Sequence, residues 1–97
     1  MIIDVKVKFM GVFQQFSGKN QVLVKLEKPT TVRKVIEKLT EALSPEFKRT
    51  LVDPELEDPR PNALILINGK EISVLKGLET RVEDGDEIVL VPVSHGG

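Results

Sequence analysis

A chain of 97 residues is long enough for one domain with a modest core and too short for two. Its 14 basic and 15 acidic residues leave a net charge of −1, which argues against nucleic acid as a main partner and gives no polybasic signal for a membrane surface. The absence of Cys removes disulfides, thiol nucleophiles and Cys-based metal centres, and the one His, His95, does not make a transition-metal site alone.

The opening "IIDVKVKF" alternates: Ile3, Val5, Val7 and Phe9 fall on one face, and Asp4, Lys6, Lys8 and Met10 on the other. That is a half-buried strand. The alternation from the first residues on leads to the expectation of no leader peptide, no stretch approaches the ~18 apolar residues of a membrane span, and a cytoplasmic location is expected. "FSGKNQ" reads as a turn through Ser17, Gly18 and Asn20. Val22, Val24 and Leu26 alternate again, so a second strand near 21–27 is expected to pair back on the first, and Pro29 ends it. Phe13 and Phe16 beside this turn read as satellite packing.

The period then changes. Val32, Val35, Ile36, Leu39 and Leu43 form one stripe of a helix near 31–43, with Thr30 or Thr31 available as its cap. "SPEFKRTL" predicts a short second helical turn, with Ser44 as cap and Pro45 in the first helical position. The proline- and acid-rich stretch 52–61 reads as a surface loop. "ALILINGKEI" predicts a strand, a two-residue turn at Asn68 and Gly69 where both positions need φ > 0, and a short partner strand. Gly77 and the Asp84-Gly85 pair mark turns, with Asp84 and Asp86 serving the turn and not a paired-carboxylate site. "EIVLVPV" is the last strand. The order ββαββ plus a final strand predicts an α+β domain over 1–93, with one main helix across one face of a mixed four- to five-stranded sheet. Residues 94–97, "SHGG", follow as a flexible tail that nothing apolar could order.

This order, the Asn68-Gly69 hairpin, and "VEDGDEIVLVPV" running into Gly96 and Gly97 resemble the ubiquitin-like β-grasp sulfur carriers of the MoaD/ThiS group. "RPNALILING" followed by "SHGG" looks closest to the archaeal small modifier and Urm1-type members, while the stretch 52–61 departs from the shortest carriers. The resemblance implies a carrier and not an enzyme. It implies that the Gly97 carboxylate is adenylated by a ubiquitin-activating-type (MoeB/ThiF-like) enzyme and then converted to a thiocarboxylate. The sulfur would go to molybdenum cofactor synthesis, with the large subunit of molybdopterin synthase as a partner, or to tRNA thiolation. Alternatively the activated end is joined to protein lysines, as in a ubiquitin-like modifier. A third reading, a plain β-grasp interaction module, predicts that loss of Gly96 and Gly97 changes nothing. No cofactor would be bound by the chain itself, since ATP and Mg²⁺ belong to the activating partner.

Chemistry explains why such a tail is wanted. A main-chain carboxylate is a poor acyl donor until attack on the α-phosphorus of ATP turns its oxygen into a good leaving group, and the partner supplies the charge neutralisation. A backbone without Cβ threads a narrow channel, so Gly96, Gly97 and the preceding Ser94 and His95 are the residues expected to enter the partner's site. The two long apolar strands add a docking surface. Each is apolar on both faces, yet one helix covers only one face of a sheet. If they are neighbours, Leu64, Leu66, Val89 and Val91, with Val93 beyond them, form an exposed patch of the kind that marks a protein interface.

Overall fold

The computed structural model describes residues 1–93. Its elements follow the chain as β1 (Ile2–Phe9), α1 (Val12–Ser17), β2 (Gln21–Glu27), β3 (Thr30–Thr31), α2 (Val32–Ala42), α3 (Pro45–Leu51), β4 (Ala63–Ile67), β5 (Lys70–Glu71), two 3₁₀ turns (Ile72–Val74 and Gly77–Glu79), β6 (Arg81–Val82) and β7 (Glu87–Pro92). Five strands form one mixed sheet in the order β2-β1-β7-β4-β5, and β3 and β6 form a separate two-stranded ribbon. The β1–β7 pair is parallel, and the other pairs are antiparallel. The α+β class, the mixed sheet and the main helix across one face are as the sequence predicts.

The hydrophobic pattern explains each placement. Ile3, Val5, Val7 and Phe9 of β1 are buried, as are Ile65 and Ile67 of β4 and Ile88 and Leu90 of β7. These form the inner face of the sheet. Across it lies α2, whose stripe Val32, Val35, Ile36 and Leu39 is buried. Thr31 caps this helix by accepting a hydrogen bond from the Lys34 amide at 3.4 Å. Ser44 caps α3 in the same way, accepting from the Phe47 amide at 3.2 Å, with Pro45 next in the chain. The strands that read as apolar on both faces, β7 and β4, occupy interior positions of the sheet, each with a strand on either side.

One expectation needs correction. The first two strands are not joined by a simple turn at "FSGKNQ", because the six-residue helix α1 stands between Phe9 and that turn. A helix this short shows less than two turns of periodicity, so composition alone reads it as loop. Tertiary packing stabilises it instead. Phe13 is buried in the main core and not a satellite, with its ring edge-on to Phe47 at 6.2 Å. Phe47 in turn meets Phe9 edge-on at 5.3 Å. Phe16 remains exposed. The segment 52–61 is a surface turn region, closed by a bridge between Asp53 and Asp58 and anchored by buried Pro59.

In that turn region Arg60 grips Asp58 with both arms of its guanidinium, Nε to Oδ1 at 3.0 Å and Nη2 to Oδ2 at 2.6 Å. These hydrogen bonds hold the Asp58 carboxyl below the ordinary value of 3.8. Because the folded-state value is depressed, the pair's contribution is fully present above the ordinary aspartate value and is lost as pH falls through the lower folded-state value. Asp58→Asn is therefore expected to lower stability by at most about 1 kcal/mol at neutral pH, where the half-exposed pair is ionised, and to remove part of the acid-side slope, so that the two proteins converge as pH falls below ~4. Chemical denaturation of both proteins across the acid range checks this. Parallel slopes would show that the pair does not titrate with folding.

Candidate functional site: the end of the last strand and the outer sheet face

The strand that delivers the C-terminal segment, β7, lies in the middle of the sheet between β1 and β4. Its start is fixed by the Asp84-Gly85-Asp86 turn, where Gly85 takes φ +86°. Asp84 Oδ1 accepts from the Asp4 amide at 2.8 Å, and Asp86 Oδ2 accepts from the Glu83 amide at 2.7 Å. Asp86 Oδ1 also accepts from Asn68 Nδ2 at 2.9 Å, while Asn68 Oδ1 accepts from the Glu87 amide at 3.0 Å. Both carboxylates are thus engaged by turn and strand groups, which is the turn role and not paired acid–base chemistry. Asn68 and Gly69 have φ +49° and +84°, so both central turn positions are left-handed as the hairpin requires.

The far end of β7 is held as firmly. The Met10 amide donates to the Leu90 carbonyl at 3.1 Å, and the Val93 amide donates to the Asn62 carbonyl at 3.0 Å. Gly11, at φ +53°, lies against Pro92 so closely that a Cβ would stand 2.9 Å from Pro92 Cγ. The chain is therefore aimed by β1 on one side and by the Asn62 turn on the other up to Val93. Ser94, His95, Gly96 and Gly97 lie outside the described residues.

On the outer face, the register places Leu64 opposite Val91 and Leu66 opposite Val89. These four side chains are brought together as expected. Leu64 is 38 % exposed, Leu66, Val89 and Val91 are half-buried, and Val93 beyond them is 40 % exposed. Lys8 pairs with Val89 across β1–β7 and forms an ion pair with Glu87 at 3.3 Å, which gives the patch a charged border. Met10, 50 % exposed at the end of β1, extends the apolar surface toward the end of β7. Its outward position was visible in the alternation, but its closeness to the patch depends on the parallel β1–β7 pairing. Asn62 and Gly11 were not marked by any pattern, since their roles depend on what the fold brings beside them.

Of the titratable groups with a shifted pKa among the described residues, two lie on this face: Glu71, opposite Leu66, is held low by its hydrogen bonds from Ser73, and Lys25, opposite Asp4, is held high by its hydrogen bond to that carboxylate. No group of three or more His, Cys, Asp or Glu among the described residues could hold a metal ion. No helix among them is long and apolar enough to cross a membrane. The described part of the site offers shape, apolar area and direction.

A five-stranded mixed sheet with a central C-terminal strand and a helix across its inner face is the ubiquitin-like β-grasp. The model of the ThiS family matches residues 7–97, and the chain belongs to that family. It is a ubiquitin-like carrier of the MoaD/ThiS type. It is 25 % identical over 95 residues to small archaeal modifier protein 3 of Haloferax volcanii, covering 98 % of this chain and 100 % of that one. A protein of Archaeoglobus fulgidus named a candidate sulfur carrier is 35 % identical over 68 residues, 69 % of this chain and 74 % of that protein. The solution structure of small archaeal modifier protein 1 from Methanosarcina acetivorans superposes with a TM-score of 0.84 at 30 % identity, covering 100 % of this chain and 99 % of that one.

Proposed function

We propose that this carrier works through the carboxylate of Gly97, which a ubiquitin-activating-type, MoeB/ThiF-like enzyme adenylates with ATP and Mg²⁺. A carboxylate oxygen attacks the α-phosphorus and pyrophosphate leaves. A persulfide held by the partner then attacks the acyl carbon and AMP leaves; a second thiol of the partner attacks the donor-side sulfur of the resulting acyl disulfide, the S–S bond breaks, the thiocarboxylate leaves on Gly97 and the partner's two thiols end as a disulfide. The observation that carries this reading is the place of β7, which is central in the sheet, pinned at both ends and bordered by an apolar face. The family match runs through residue 97, so the tail belongs to what the family shares. Ser94, His95 and Gly96 thread the partner's site, and Leu64, Leu66, Val89, Val91 and Val93 dock the domain against it. The sulfur acceptor is molybdopterin synthesis, through the large synthase subunit, or tRNA thiolation.

A second use of the same activated end, attack by a lysine amine to form an isopeptide bond, is supported by the name of the archaeal modifier relative. The docking face provides a test common to both. Leu66→Glu and Val91→Glu place a charge on a partly exposed surface, so each should fold. In an apolar interface the same charge is desolvated and unpaired, so binding to the activating enzyme should weaken by at least about tenfold. Surface plasmon resonance beside a thermal melt checks both points. Two variants that fold and bind as well as wild type would move the docking site elsewhere.

A further inference from the structure

We propose that the open edge of β2, with the groove beside it, is a second docking site that accepts an extended acidic segment of a partner protein as an added strand. This inference is independent of the tail chemistry. Among the described residues β2 is an end strand of the five-stranded sheet and pairs only with β1. The Phe9 amide donates to the Asn20 carbonyl and the Lys28 amide to the Met1 carbonyl, both at 2.9 Å. With the register Val7↔Val22 and Val5↔Val24, these bonds fix the phase of the ladder. Alternate residues Val22, Val24 and Leu26 bond inward to β1, and Gln21, Leu23 and Lys25 aim their N–H and C=O groups outward. An added strand would find donors and acceptors already in ladder geometry.

A groove of about 500 Å³ runs between this edge and α2. Val22, Leu39, Ala42 and Leu43 give it an apolar lining, and its charged lining residues are Lys19, Lys25 and Lys38 with no acid among them. Lys25 is paired with Asp4 at 2.9 Å, but among the described residues neither Lys19 nor Lys38 takes part in an ion pair. In a chain of net charge −1 this is a local excess of positive charge. It selects an acidic occupant. The larger cleft between α2, α3 and the 52–61 turns makes no such selection, since Arg33, Lys48 and Arg49 there face Glu37, Glu41, Asp53 and Glu57. Side chains of an added strand alternate. One set would fill the groove over Val22 and Leu43, and the other would lie beside Leu23, which is 64 % exposed on the outer face.

The test is titration of the full ¹⁵N-labelled chain with the peptide Ac-Asp-Glu-Val-Ile-Val-Ile-Glu-Asp-NH₂, followed by amide shifts. Saturable shifts confined to β2 and the last turns of α2 are expected. Lys19→Glu with Lys38→Glu should weaken binding by about tenfold or more, and a lysine-flanked peptide should bind correspondingly worse. Leu23→Pro should keep β2 paired to β1, because the lost N–H points outward, yet abolish binding. Equal binding of the lysine-flanked peptide, shifts on the Leu64–Val91 face instead, or no shift at millimolar peptide would each overturn the proposal. So would concentration-dependent shifts at β2 without peptide, which would assign the edge to a second copy.

Discussion

Gly96→Val is expected to leave the melting temperature of the domain within about 2 °C of wild type and to cut ATP–pyrophosphate exchange with the activating enzyme by at least about a hundredfold. Residue 96 lies beyond the last strand, so no described contact is lost. The lost exchange has a steric cause. A β-branched side chain narrows the backbone choices of an extended tail and adds bulk where a channel is shaped for bare backbone. One residue added after Gly97 should have the same effect for a different reason, since it moves the reactive carboxylate out of line with the ATP α-phosphorus. Exchange at the wild-type rate in both variants would make the diglycine incidental and leave the plain interaction module as the reading.

The largest effect on stability is expected at Phe47. Its ring is fully buried and meets both Phe9 and Phe13 edge-on, so it fastens α1 and α3 to β1. Phe47→Ala should cost about 3–5 kcal/mol, through lost transfer energy and the cavity left behind. Leu39→Ala in the α2 stripe should cost about 2–5 kcal/mol. For a domain of this size these losses lower Tm by at least about 10 °C, which calorimetry would resolve. A Phe47→Ala protein with wild-type stability would mean that the aromatic cluster closes over the gap and that α1 is held by other contacts.

The sequence carried the fold wherever periodicity ran long enough to be counted. β1 and β2 show period two over eight and seven residues, α2 shows 3.6 over eleven, and β4 and β7 are apolar runs bounded by turn signals. The double-sided apolarity of β4 and β7 even pointed to the outer patch, because a strand apolar on both faces must lie inside a sheet. Short elements escaped. α1 has six residues, and the β3–β6 ribbon has two in each strand, with Thr30 buried opposite Val82. At such lengths pairing and packing decide conformation, and local pattern does not. The same limit applies to the site. Asn62 and Gly11 act by what lies beside them, Val93 and Pro92, and the β2 groove exists only where an edge strand and α2 meet. The tail residues were marked by composition alone, as two glycines after a strong strand.

The most direct measurement is the intact mass of the full-length chain after incubation with ATP, Mg²⁺, a sulfur donor and extract of its native cells. A thiocarboxylate predicts a mass gain equal to sulfur replacing one oxygen, located by fragmentation to Gly97, absent without ATP and absent in Gly96→Val. An unmodified Gly97 in the complete reaction, or the same sulfur found elsewhere in the chain, would contradict the assignment of function to the Gly97 carboxylate.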